Sequence, residues 1–203
     1  MKILIATHNT GKLGEISSIL NGLPVELISL QELGIKDDVE ETGTSHQENA
    51  LIKAKFFAQK TKLPTLGEDS GIHVDALSGE LGVATRRFRG LEKATDEAWI
   101  EHFMRQMENV PDKERGAKFI CHAAFVYGDE IIHFSGETRG FITRELRAPL
   151  KKGIPLSSCF VPKGFLKVYA ELSDKEKASA SHRGKAIGAF KDFLAERFKN
   201  PPA

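Results

Sequence analysis

Cysteine is nearly missing from this chain: Cys121 and Cys159 are the only two in 203 residues. They form no metal-ligand spacing and no disulfide framework, which predicts a reducing, cytoplasmic setting. An excess of one charge is lacking too, since 29 Lys and Arg face 28 Asp and Glu for a net charge of +1. That removes the electrostatic case for duplex nucleic acid, although Arg86-Arg87-Phe88-Arg89 is a local cluster able to take phosphates. Nor is there an aromatic platform for stacking single strands. No apolar run approaches the length of a membrane span. Met1-Lys2 leads straight into Ile3-Leu4-Ile5-Ala6 with no cleavage pattern, so the expected reading is a buried first strand and no membrane partner. Internal repeats, low-complexity tracts and long linkers are absent as well. The chain therefore reads as one domain over residues 1–203, with two lobes on a shared sheet and a frayed tail at 200–203.

What is present centres on Gly67-Glu68-Asp69-Ser70-Gly71. It follows the short apolar run Leu63-Pro64-Thr65-Leu66, which predicts an acidic pair at the carboxyl end of a strand, the edge where open α/β sheets bind ligands. Adjacent carboxylates flanked by glycines suit a magnesium-nucleotide site, because Mg²⁺ takes one or two carboxylates plus phosphate oxygens. The same residues also suit a polar turn that ends a strand.

Other stretches add to this. Lys2 to Ala6 reads as a strand and Gly11 to Leu20 as a helix. The intervening Thr7-His8-Asn9-Thr10-Gly11-Lys12 offers helix N–H groups and a lysine to an anion, or else is an ordinary N-cap turn. Val25 to Ser29 reads as a second strand. Ser45-His46-Gln47-Glu48 matches a capping box for a helix to about Gln59. On it Asn49 and Lys53 share a face, with Glu41 just ahead. Ile72 to Leu77 reads as a continuation strand. Thr95 caps a helix whose stripe of Trp99, Ile100, Phe103, Met104 and Met107 is core. Lys118–Tyr127 and Glu130–Thr138 flank Gly128-Asp129 as a hairpin, with His122 and His133 structural, and Phe141 to Glu145 reads as a further strand. Beyond the Pro- and Gly-punctuated stretch from Pro149 to Gly164, a short helix from Asp174 to Ala180 is followed by Ser181-His182-Arg183 and a terminal helix.

In this order the segments resemble the Ham1/RdgB family of inosine/xanthosine triphosphate pyrophosphatases. Thr7-x-Asn9-x-x-Lys12 is similar to its phosphate-binding loop. Glu41-Thr42-Gly43 with Glu48-Asn49-Ala50 and Lys53-Ala54 is similar to its second block, and Glu68-Asp69-Ser70-Gly71 to its acidic block. Ala170-Glu171, Lys177 and Ser181-His182-Arg183 resemble the carboxyl-terminal block.

The resemblance implies an ITPase-like α/β fold: an elongated mixed β-sheet flanked by helices, two lobes and a central cleft. It also implies a homodimer and hydrolysis of a nucleoside triphosphate to the monophosphate and pyrophosphate, with Mg²⁺ as cofactor and Mn²⁺ as the alternative. On this reading Asp69 takes the proton from the attacking water. Glu41 and Asp69 hold the metal, with a further contact from Glu40 or Glu68 left open. Thr7, Asn9, Thr10, Gly11, Lys12 and Lys53 hold the phosphates. Ser70, Lys177, Ser181, His182 and Arg183 serve phosphate, sugar and base. The chain departs from the family at Ile154-Pro155-Leu156-Ser157-Ser158-Cys159-Phe160, where Ile154 stands for a purine-stacking aromatic and Ser157 for a carboxylate. Val83-Ala84-Thr85-Arg86-Arg87 varies as well. Three other readings stay open: a module that binds nucleotides without turnover, a Maf-like pyrophosphatase for pyrimidine nucleotides, and a nucleic-acid-binding protein.

Overall fold

The computed structural model describes residues 1–199; the expected tail at 200–203 lies outside them. A six-stranded mixed sheet has the order β2-β1-β3-β4-β5-β6. Its strands are β1 (Lys2–Ala6), β2 (Glu26–Ser29), β3 (Thr65–Val74), β4 (Gly116–Tyr127), β5 (Glu130–Ile142) and β6 (Phe160–Pro162). β1 runs parallel to β2 and β3, and the remaining pairings are antiparallel. Five helices flank the sheet: α1 (Thr10–Leu20), α2 (His46–Thr61), α3 (Asp96–Gln106), α4 (Asp174–Ala180) and α5 (His182–Lys199). None of the described helices is long and apolar enough to cross a membrane.

β3 organises the molecule. β1 accompanies it only as far as the Ala6–Gly67 pair, whereas β4 pairs with it from Thr65–Val126 to Val74–Ala117. The acidic pair therefore lies inside a ten-residue strand and not at its end, which corrects the expectation. Glu-Asp-Ser has little intrinsic strand preference, and the continuous β4 partner imposes the extended backbone. The end that matters belongs to β1, which stops just before the acidic pair and turns into α1.

Successive side chains of a strand alternate between faces, so Glu68 and Asp69 point to opposite sides of the sheet. On the Glu68 face, Leu66 joins one apolar core with Ile3, Ile16, Phe125, Phe190 and Leu194. Ile72 and Val74 join a second core with Trp99, Phe103, Phe119, Phe160 and Tyr169. Glu68 and Ser70 lie on β3 between the residues that join these two cores. On the Asp69 face Gly67 and Gly71 flank the carboxylate. A Cβ at Gly67 would lie 2.3 Å from Ala50 O, and one at Gly71 would lie 2.2 Å from Gly82 O. The glycines thus admit the protein's own backbone rather than a ligand.

Local differences have simple causes. The strand expected over Phe141 to Glu145 is the end of β5, which runs unbroken through Arg139-Gly140 because Gly140 pairs with Pro162. The continuation after β3 stops at Val74, and Asp75–Leu77 forms one 3₁₀ turn. The Glu48 carboxylate reaches Thr44 N (2.6 Å) rather than the N-cap amide, so the capping box is shifted by one residue. Ser181 Oγ accepts from Gly184 N (2.8 Å), which places His182 and Arg183 in the first turn of α5 instead of a linker.

Arg115 is 3% exposed and donates to the carbonyls of Met107, Val110, Ile142 and Thr143, tying the end of α3 to the β5 terminus. Arg115→Met leaves those carbonyls without their donor. The expected loss is about 2–4 kcal/mol in chemical denaturation, since stranded buried polar groups are costly; an unchanged midpoint would show that water satisfies them.

Candidate active site

A cleft of about 690 Å³ opens where β1 ends and the two cores part. One wall is built by Asn9, the N-cap of α1. Asn9 Oδ1 accepts from Lys12 N (3.0 Å), its Nδ2 donates to Gly153 O (2.8 Å), and its own N–H bonds Thr7 Oγ1 (3.1 Å). Thr7, Asn9, Thr10 and Lys12 face the cleft. Gly11 does not line it; a Cβ there would sit 2.4 Å from Lys152 O, so its role is to let the 151–154 segment close over the loop.

Two ionic networks meet here, one on each face of β3. On the Asp69 face, Lys53 Nζ lies 2.9 Å from Glu41 Oε1 and 3.5 Å from Asp69 Oδ1. His46 Nδ1 is 2.6 Å from Asp69 Oδ2. Burial opposes the Asp69 charge, but the His46 hydrogen bond and the Lys53 and Lys12 ammoniums outweigh it and hold the carboxyl below its usual range. Burial likewise works against the Lys53 ammonium, which Asp69, Glu41 and Glu68 more than offset. Asn49 Oδ1 accepts from Gly43 N (2.8 Å) and so fastens the Glu41 segment to α2.

On the opposite face Glu68 binds Lys12 Nζ (2.9 Å) and Arg183 Nη2 (3.1 Å). Arg183 also donates to Ser70 Oγ (2.9 Å), and Glu15 pairs with both Arg183 and Lys177. Glu68 is therefore committed to cations across the sheet from Asp69, and the two carboxylates do not form one metal-binding pair. Lys12 is likewise paired, its ammonium lying against Glu68.

The far wall carries Ile154, Leu156 and Ser157 from one loop, with Trp99, Phe119, Tyr169 and His182. His182 stacks on Phe119 at 4.6 Å between centroids. Burial, with help from Arg183, pushes its pKa well below the usual histidine range, so the ring is neutral. Ser157 is 5% exposed, and its Oγ has no hydrogen-bond partner among the described residues.

Glu41 and Asp69 present oxygens to one point, which the Lys53 ammonium fills. This is a cation-holding pair of the hard donors Mg²⁺ prefers. Among the described residues no three His, Cys, Asp or Glu side chains converge. A divalent ion held here would take its remaining ligands from phosphate and water.

The sequence reading missed His46, Glu15 and the aromatics at positions 99, 119 and 169. For His46 a signal existed. Positions 46, 49, 50, 53, 54 and 57 form the buried stripe of α2, and three of the six, His46, Asn49 and Lys53, are polar, an anomaly for a core-facing helix.

A profile of the Ham1 family matches residues 3–193. A dITP/XTP pyrophosphatase of Caldanaerobacter subterraneus is 37% identical over 98% of each chain, and one of Geobacter sulfurreducens is 41% identical over 95% of this chain and 96% of its own. The structure of a HAM1 protein from Coxiella burnetii superposes with a TM-score of 0.79 at 34% identity, covering 97% of this chain and 99% of the other. The chain belongs to the Ham1 family.

Proposed function

We propose that the protein is a nucleoside triphosphate pyrophosphatase that hydrolyses non-standard purine triphosphates (ITP, dITP, XTP) to the monophosphate and pyrophosphate, clearing them from the nucleotide pool. The observation that carries this reading is the Glu41–Lys53–Asp69 cluster, set opposite a helix amino terminus in one cleft. The names of the relatives, dITP/XTP pyrophosphatase, point the same way.

The chemistry follows from the groups present. Displacement at the α-phosphorus needs neutralised phosphate charge and an oriented water. The α1 amino terminus, Lys12 and Lys53 meet the triphosphate. Glu41 and Asp69 would hold Mg²⁺, with Mn²⁺ as the alternative, and the ion when bound supplies charge neutralisation and acidifies the attacking water. Asp69, ionised at neutral pH, is the acceptor for that proton. Arg183 and Lys177 stand toward the sugar and phosphates, and the neutral His182 toward the base. A nucleotide panel with pyrophosphate readout tests this; release of orthophosphate alone would contradict it.

We also read the protein as a cytoplasmic homodimer. Its two cysteines are free and buried, and Phe141 (44%) and Leu166 (93%) leave apolar surface for a second copy to cover. Light scattering at assay concentration decides the oligomeric state.

Base selectivity should be modest. Ile154 gives only apolar contact, and Ser157 offers a neutral hydroxyl where a charged acceptor would reject the wrong base edge. Strong discrimination needs a buried group left unpaired by the wrong ligand. Ile154→Phe with Ser157→Asp is expected to raise the ratio of kcat/KM for ITP over ATP, provided melting shows the variant folded. An unchanged ratio would place recognition on the aromatic wall instead.

A further inference from the structure

We infer that His46 is a positioning residue for Asp69, holding the carboxylate in the one rotation that presents Oδ1 to the cleft. This rests on the functional reading above. His46 is the first residue of α2, capped by Ser45, and is 6% exposed. An ionised carboxylate only accepts hydrogen bonds, so Nδ1 carries the proton in the 2.6 Å contact to Asp69 Oδ2. Among the described residues the other ring nitrogen, Nε2, is buried without a partner, and the only hydrogen bond this ring makes is the one to Asp69.

The slot that holds the ring is built for it. Gly71 faces its edge, where a Cβ would come within 2.8 Å of Cε1 and 2.7 Å of Thr85 Oγ1. Thr85 Oγ1 is itself fixed, donating to Gly82 O (2.6 Å) and accepting from Ile72 N (3.0 Å). The ring edge thus lies against the Gly71 backbone, in the space that a side chain there would take. Without the Nδ1–H donor, both Asp69 oxygens become free to turn onto Lys53, and the proton acceptor loses its aim at the water. Such a loss lies in the chemical step more than in substrate binding, because the His46 ring bonds neither Lys12 nor the α1 amino terminus, the groups assigned above to the phosphates.

Phe and Asn substitutions separate this role from simple packing. H46F keeps a ring of similar size and removes the donor; H46N places an amide near the Nδ1 position. Partners that orient a reactive group typically cost about 10–100-fold when removed. We expect kcat for ITP to fall by that factor in H46F with KM near wild type, and H46N to recover most of it. Melting curves of both variants should overlay wild type. In nitrogen-15 spectra of the metal-free protein, the His46 resonance, assigned by its loss in H46F, should show Nδ1 protonated. H46F turning over like wild type, H46N no better than H46F while both fold, or an unprotonated Nδ1 would each overturn the proposal. A wild type that hydrolyses no triphosphate would instead overturn the functional reading, and the positioning role with it.

Discussion

Replacing Asp69 by Asn should leave a folded protein whose pyrophosphate release from ITP is slower by at least about 10²–10⁴-fold, the usual contribution of a positioned general base. The amide can still accept from His46 Nδ1, so the α2–β3 contact survives. Lys53 keeps Glu41 at 2.9 Å as a partner, so no buried charge is stranded. What disappears is the charge that receives the proton and one of the two oxygen donors facing a cation. The loss should therefore fall on kcat, and raising Mg²⁺ should restore little of it. Turnover within a few-fold of wild type, measured as pyrophosphate released per enzyme, would remove Asp69 from the chemistry.

Glu68→Gln should be the most destabilising single change of a charged side chain near the cleft. Glu68 is 2% exposed and sits between Arg183 and Lys12 in the gap between the two cores. Deleting one member of a buried ionic pair typically costs about 3–5 kcal/mol, and the lower end applies here, because Arg183 keeps Glu15 while Lys12 loses its carboxylate. At roughly 2–4 °C per kcal/mol for a chain of this size, the melting temperature should fall by about 10 °C. The effect has a defined pH dependence. Burial alone would raise the Glu68 pKa, but Arg183, Lys12 and Lys53 hold it well below the ordinary 4.5. A depressed carboxylate contributes stability above its unfolded pKa and loses it as pH falls through the folded value. The gap between wild type and variant should then be widest near pH 7 and narrow below pH 4.5. A gap that is constant across that range would mean packing, and not charge, sets the cost.

These two carboxylates also show what the sequence could and could not tell. Their presence, the capped turn before α1, the Glu41–Lys53 pairing and the hairpin at Gly128-Asp129 were all legible, because short-range patterns encode them: a cap, a helical spacing, a two-residue turn. Their separation onto opposite faces was not. It depends on β3 continuing through Glu-Asp-Ser, and that continuity is imposed by β4, some fifty residues further along the chain. The same cause hid β6, whose three residues become a strand only against Gly140–Ile142. Arg115 went unread because its acceptors are backbone carbonyls from two other segments, which leave no trace in side-chain pattern. His46 lay in plain view, but the residue after an N-cap is ordinarily solvent-facing. Only the polar stripe it shares with Asn49 and Lys53 marks it as buried.

Hydrolysis of ITP in oxygen-18 water decides whether water attacks the α-phosphorus beside Asp69. The label should enter inosine monophosphate and be absent from the pyrophosphate. Label in pyrophosphate or orthophosphate, or no hydrolysis with Mg²⁺ present, would contradict that attack.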